Sequence, residues 1–169
     1  MLAFIRQEQE RFDEAGELAA RALIFEPASG HAVHAKAHVH YKTGDHRAGL
    51  AWLDDWIATC GARASHRAHF SWHAALHELA LGDYKAVARR YTDQLAPPTV
   101  SGTRALVDSA SLLWRARLAG AGPVGRIEDV LDSIPPTLLA EPPTPFAALH
   151  VAIAFAAADD CHRLAQLRG

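Results

Sequence analysis

The chain contains very few thiols, with only two cysteines, Cys60 and Cys161, among its 169 residues. They are far apart and lack the Cys-x-x-Cys spacing of thiolate zinc sites and thioredoxin-like redox motifs. A disulfide framework is equally disfavoured, because such frameworks pair many closely spaced cysteines. We therefore expect two unpaired thiols, buried or at an edge, in a reducing compartment. The cytoplasm is the predicted location.

Strong charge and long apolar segments are also missing. The formal net charge is −2 and the pI is about 6.6, which gives no basic footprint for nucleic acid. The longest apolar run, Phe146 to Ala158, has 13 residues and contains His150, so it is too short to span a bilayer. No apolar stretch typical of a signal peptide follows Met1. We expect neither a nucleic acid nor a membrane as partner.

The sequence lacks the common catalytic motifs as well. A serine nucleophile elbow, a phosphate-binding loop and a dinucleotide fingerprint are all absent. The glycine-rich stretch 120–125 matches none of them, and Pro123 would block an amide nest at a helix start. We assign no catalytic residue, and an enzyme is the less favoured class.

Proline is concentrated in one stretch near the C-terminal end. Residues 134–144 contain four of the nine prolines. Because proline fixes φ and has no N–H, this stretch is predicted to be extended rather than helical. The flanking stretches, 124–133 and 145–157, are predicted helices.

What the chain does contain is a repeated helix-turn-helix pattern. The segments 11–15, 45–49 and 83–87 align, with 34 residues from Phe12 to His46 and 38 from His46 to Tyr84. A period in the thirties is typical of stacked helical hairpins. Gly44 and Gly82 precede the last two segments, and each is predicted to end a helix with positive φ.

The second helix of the first hairpin carries the small residues Ala15, Ala19 and Ala22 and closes at Pro27, a pattern that resembles the tetratricopeptide repeat. Segments 34–53 and 71–84 further resemble the tetratricopeptide repeat protein 38 family. The resemblance implies an all-α fold, a right-handed stack of antiparallel helical hairpins forming a tetratricopeptide-like α-solenoid. It also implies that residues 1–169 form a single repeat domain, part of a longer array.

The first residues of the chain are apolar, whereas a terminal repeat needs a polar outer face. Leu2, Phe4 and Ile5 lie in a first helix that the repeat predicts to be incomplete. We expect this edge to be either a cut surface of a longer chain or the interface of a homodimer.

Nine of the eleven histidines fall within residues 31–77. In the tetratricopeptide resemblance, residues around the small positions of helices 30–43 and 66–81 line a concave groove. The groove residues that it implies for ligand binding are His31, His34, His38, His69 and Trp72. The favoured function is therefore a binding scaffold that holds a protein or peptide partner.

The same histidines offer a second function. His34 and His38 are one helical turn apart, as are His73 and His77, and this spacing lets two imidazoles reach one metal ion. The alternative prediction is a metal-binding protein or metal-dependent enzyme that uses zinc or another divalent ion. Two further interpretations stay open: the imidazoles are hydrogen-bonded groups within the helix packing, or they form a pH-sensitive interface.

Overall fold

The structure is a computed structural model that describes residues 1–62 and 66–167. All regular secondary structure in these two ranges is helical, and neither range contains a strand. The predicted all-α class is therefore confirmed. The finer prediction of a right-handed tetratricopeptide-like stack stays a prediction. The chain divides into two compact units, Met1–Leu81 and Gly82–Gly169.

The described residues of the first unit, 1–62 and 66–81, form five helices. They are α1 (Leu2–Glu8), α2 (Phe12–Phe25), α3 (Gly30–Lys42), α4 (His46–Ala58) and α5 (Arg67–Ala80). Helix α1 packs on α2 and α3, α2 packs on α3, and α4 packs on α5. Helix α3 also contacts both α4 and α5, so it is the central element of this unit.

Two apolar clusters hold these helices together. Small residues (Ala3, Ala19 and Ala35) let α1, α2 and α3 approach closely. The larger cluster joins α3, α4 and α5, and its members include Val33, Leu53, Trp56, Ile57 and Phe70. Trp56 is buried and donates its indole N–H to the Pro27 carbonyl at 2.8 Å.

The glycines that follow α3 and α5 adopt the predicted conformation. The φ angles are 77° at Gly44 and 74° at Gly82. After α3, the Asp45 N–H donates to the His40 carbonyl at 2.9 Å and the Gly44 N–H to Tyr41 at 3.3 Å. This pair of bonds satisfies helix-end carbonyls and fixes the turn into α4.

The second unit contains seven α-helices. They are α6 (Tyr84–Arg90), α7 (Gly102–Arg104), α8 (Ala110–Leu118), α9 (Ile127–Asp132), α10 (Pro136–Ala140), α11 (Pro145–Ala157) and α12 (Cys161–Gln166). A π-helical turn, Tyr91–Leu95, extends α6, and another, Ala105–Ser109, joins α7 to α8. Residues 102–118 are therefore helical throughout, with a wider turn between α7 and α8. Helix α11 packs mainly on α8.

The prediction of an extended loop over 134–144 is wrong in part, because Pro136–Ala140 forms α10. Pro136 occupies the first turn of this helix. At that position an N–H has no partner within the helix, so proline costs nothing there and its fixed φ favours helix initiation. The number of prolines alone predicted an extended loop, but a proline disrupts a helix only beyond its first turn.

The N-terminal helix presents its apolar residues on two sides. Leu2 is 50% exposed and Ile5 is 44% exposed, whereas Phe4 is partly buried and packs inward. The predicted homodimer through this edge stays a prediction. Cys60 and Cys161 are both exposed free thiols, so the expectation of edge thiols is met and that of buried ones is wrong. Among the described residues, no helix combines the length and apolar character that a bilayer crossing requires.

Candidate metal centre

Helix α3 contributes two histidines to one face. His34 and His38 are four residues apart, which places their side chains one above the other on the helix surface. Their Nε2 atoms are 3.0 Å apart, and the rings meet edge to face with centroids separated by 4.6 Å. The predicted α3 pair therefore points both of its Nε2 atoms at one place.

Helix α5 contributes a second pair at the same level. The Nε2 atoms of His69 and His73 are 3.2 Å apart. The two helices are joined at His34, whose Nε2 lies 3.2 Å from that of His69. We call His34, His38, His69 and His73 the imidazole cluster.

Three members of the cluster form a compact set of potential ligands. In His34, His38 and His73, one ring nitrogen per residue lies within 4.8 Å of the other two. The His73 ring centroid is 4.9 Å from that of His34 and 5.0 Å from that of His38. These three residues could hold a metal ion, with His69 beside them.

Aromatic rings enclose the cluster. Phe4 of α1 lies against both α3 histidines, with centroids 5.5 Å from His34 and 6.0 Å from His38. On α5, the Trp72 ring stacks on His69 at 5.5 Å with an interplanar angle of 12°. His73 is only 4% exposed. The nitrogens thus lie in surroundings where water competes poorly for them.

The cluster has more nitrogen contacts than hydrogen bonds can explain. A neutral imidazole has one N–H and one lone pair, so each Nε2 either donates or accepts along a single in-plane direction. Four such atoms form at most two well-directed bonds with one another. Three Nε2 to Nε2 separations nevertheless fall at 3.0–3.2 Å. Two such bonds account for two of these separations, and the third is a contact that hydrogen bonding among the four Nε2 atoms does not explain.

Burial favours the neutral form of two cluster members, His38 and His73. Desolvation is the main cause that lowers the pKa of His38, and the neighbouring Glu8 carboxylate opposes it. Desolvation also lowers the pKa of His73 well below the ordinary value, and the facing His69, His38 and His34 act in the same direction. Only neutral imidazoles coordinate metal ions, so the protonation state at neutral pH is the one that ligation needs.

The nitrogen separations are close to those around a bound zinc ion. Zinc-bound imidazole nitrogens lie at about 2.0–2.1 Å, so two ligands on a tetrahedron are about 3.3–3.4 Å apart. The observed 3.0–3.2 Å between neighbouring Nε2 atoms is slightly shorter. Ligation would require the rings to separate by a few tenths of an ångström, which is a side-chain adjustment.

His77, the fourth predicted metal ligand, lies outside this set. Its Nδ1 is 3.2 Å from Nδ1 of His46, the first residue of α4, and its ring packs edge-on against Tyr41 at 5.7 Å. On α5 the residue beside His34 is His69, eight residues or about two turns before His77. Burial, followed by the facing His46, lowers the pKa of His77 to about 4.

The predicted groove residues separate into two groups. His34, His38, His69 and Trp72 contact one another through their rings, while His31 is exposed and outside the cluster. Sequence reasoning missed His69 as a metal-ligand candidate and missed His46 altogether. The spacing of His69 and His73 was available as a signal, because they too are four residues apart.

Comparison with known proteins identifies no family for this chain. No protein-family model matches the chain, and no solved structure matches it. The resemblance to the tetratricopeptide repeat and to the tetratricopeptide repeat protein 38 family therefore stays a prediction that depends on the quoted segments. The function of the candidate site is therefore inferred from its own residues.

Proposed function

We propose that the first unit binds a divalent transition-metal ion, with zinc as the leading candidate, through His34, His38 and His73. His69 supplies a fourth nitrogen or positions the others. The observation that carries the proposal is that His34 and His38 of α3 and His73 of α5 each place a ring nitrogen within 4.8 Å of the other two. The Nε2 atom of His69 lies 3.2 Å from Nε2 of His34 and 3.2 Å from Nε2 of His73.

The donor set favours some metals over others. Imidazole suits zinc, copper, nickel and iron, whereas magnesium and calcium prefer oxygen ligands. All the candidate donors are nitrogens, and sulfur ligands, which favour copper(I), are absent from the cluster. Zinc fits because it has no demand for square-planar geometry and accepts a tetrahedral nitrogen set.

The test is metal titration of protein purified without a polyhistidine tag. Cobalt(II) serves as an optical probe for the site, followed by displacement with zinc and element analysis of the purified protein. We expect one ion per chain with a tetrahedral cobalt spectrum. The variant His34→Ala/His73→Ala should lose this binding because it removes a ligand from each helix.

A matched control comes from the same helix. His31→Ala removes an exposed histidine of α3 that lies outside the cluster, and it should bind cobalt like wild type. Circular dichroism of both variants separates loss of ligands from loss of fold. Wild-type protein that binds no cobalt or zinc, or equal loss of binding in the His31→Ala control, would contradict the proposal.

The binding-scaffold hypothesis requires the same side chains to be accessible to a partner. A peptide groove needs groups that face solvent, yet of the five predicted groove residues only His31 is fully exposed. The other four are engaged in ring contacts with one another. We therefore place a protein or peptide partner second. Peptide binding that His31→Ala abolishes and metal leaves unaltered would reverse this order.

A further inference from the structure

A polar cleft lies beside the imidazole cluster. Its volume is about 340 Å³, and it is formed where the end of α1, the start of α2 and the second half of α3 meet. Its lining residues are Gln7, Glu8, Glu10, Phe12, His38 and Lys42.

His38 belongs to both the cleft and the cluster. Its ring lines the cleft, and its Nε2 lies 3.0 Å from Nε2 of His34. His73, in contrast, is 4% exposed, so an ion cannot reach it directly from bulk water. A buried metal site needs an access path. Among the cluster members, His38 is the one that lines this cleft.

The charges around the cleft favour a cation. Glu8 and Glu10 are exposed carboxylates, and Lys42 is the one basic side chain among the lining residues, so their formal sum is negative. Glu8 and Glu10 line the same cleft as His38, so their carboxylates lie along the approach to its ring. Clefts lined by one excess charge concentrate counter-ions and raise association rates.

A neutral oxygen in the same wall lacks a partner. Gln7 is only 3% exposed, and its Oε1 has no hydrogen-bond partner among the described residues. Leaving a buried amide oxygen unpaired is costly, and such groups in native proteins call for an explanation. Gln7 lines the cleft, so its wall contains a buried acceptor that no described residue satisfies.

From these observations we infer that the cleft beside His38 is the route by which a hydrated divalent cation reaches the imidazole cluster. The inference rests on the proposed metal function. Glu8 and Glu10 attract the ion, and His38 is the first nitrogen that it meets. The positive charge of Lys42 repels the ion and lowers the rate of association.

The test measures association kinetics by stopped-flow absorbance with cobalt(II) at low ionic strength. Glu8→Gln/Glu10→Gln should slow association by about 3- to 10-fold, since electrostatic focusing of this kind changes on-rates by factors of about 10 or more. Lys42→Gln should accelerate it. Both effects should fade in high salt because the cleft is open to solvent. Glu17→Gln/Glu26→Gln, which replaces two exposed acids that do not line the cleft, is the charge-matched control.

Dissociation, measured by chelator competition, distinguishes a route from a remote charge effect. If the carboxylates line the path of the ion, removing them slows both association and dissociation. If they only attract the ion once it is bound, removing them makes dissociation faster. Slower rates in both directions support the inference. Association equal to that of wild type, or faster dissociation alone, overturns it while leaving the metal function intact. Absence of cobalt binding in wild type overturns both.

Discussion

The Nε2 atoms of His34 and His69 are 3.2 Å apart although 35 residues separate them in the chain. One stands on α3 and the other on α5, so their contact depends on how these two helices are set against each other. Each helix carries a second histidine four residues further along, His38 on α3 and His73 on α5. The contact between His34 and His69 therefore brings four histidines together. An ion held there would tie α3 to α5.

Metal binding should therefore stabilise the protein. A ligand that binds the folded state alone adds about 2.7 kcal/mol to the free energy of unfolding when present at about 100 times its dissociation constant. We expect zinc to raise the melting temperature of the chelator-treated protein and excess chelator to reverse the change. Differential scanning calorimetry measures both.

His34→Ala/His73→Ala is the control for this stabilisation. Its melting temperature should not respond to zinc, since it lacks a ligand on each helix. A similar rise in wild type and in this variant would show that zinc acts elsewhere on the chain.

Gly49→Ala should destabilise the first unit. A Cβ at Gly49 would lie 2.7 Å from the His40 Cβ and 2.7 Å from Cε1 of the His77 ring, closer than carbon atoms approach. Overpacking of this kind costs about 1–3 kcal/mol. Urea unfolding gives the change in the free energy of unfolding.

The matched control for Gly49 is a second helical glycine. At Gly16 the nearest contact of an added Cβ is Cγ1 of Val39 at 3.8 Å, an ordinary packing distance. Gly16→Ala should stabilise by about 0.5–1 kcal/mol, because alanine is the better helix former. The same sign for both substitutions would refute the packing argument.

Gly44→Ala should cost about 1 kcal/mol for a different reason. An added Cβ at Gly44 meets no described atom within 4 Å, so space is not the constraint. The φ of 77° is the constraint, since it is unfavourable for a residue with a Cβ. Gly44→Asn should lower the free energy of unfolding by less, because asparagine tolerates the left-handed region better than alanine does. Equal losses for alanine and asparagine in urea unfolding would contradict this cause.

The pKa of His77, lowered to about 4, predicts acid sensitivity. In the unfolded chain a histidine has a pKa of about 6.5, so between these values the unfolded state binds more protons than the folded state. The free energy of unfolding should therefore fall as pH drops from about 6.5 to about 4, by on the order of 2 kcal/mol from this group. The lowered pKa values of His38 and His73 act with the same sign.

Urea unfolding at several pH values, with chelator present to remove metal, measures this dependence. His77→Gln should reduce the slope between pH 4 and 6.5, because the variant has no imidazole to protonate at this site. His150→Gln, in the second unit, should leave the slope unaltered. A slope that is the same in wild type and His77→Gln would exclude His77 as its source.

Local features of the site could be predicted from the sequence. The His34 and His38 pair follows from four-residue spacing on one helix, and the positive φ at Gly44 follows from its place after a helix. Both depend on chain geometry within a few residues. The same kind of reasoning gave the all-α class.

The partner of that pair could not be predicted, because α5 carries His69, His73 and His77 at successive turns. Sequence spacing makes His69 with His73 and His73 with His77 equally good pairs. Which pair meets α3 depends on the axial position of one helix against another. That position is set by close packing, as where the His77 ring lies over the Cα of Gly49.

The stacking of Trp72 on His69 gives the protein an internal optical reporter. An indole excited state is quenched efficiently by a paramagnetic ion held within a few ångströms, and the two rings lie 5.5 Å apart and nearly parallel. Cobalt or copper bound at the cluster would thus quench the emission of Trp72, while zinc, which has no unpaired electrons, would not quench it in this way. Tryptophan emission can therefore distinguish bound cobalt or copper from bound zinc without any label being added.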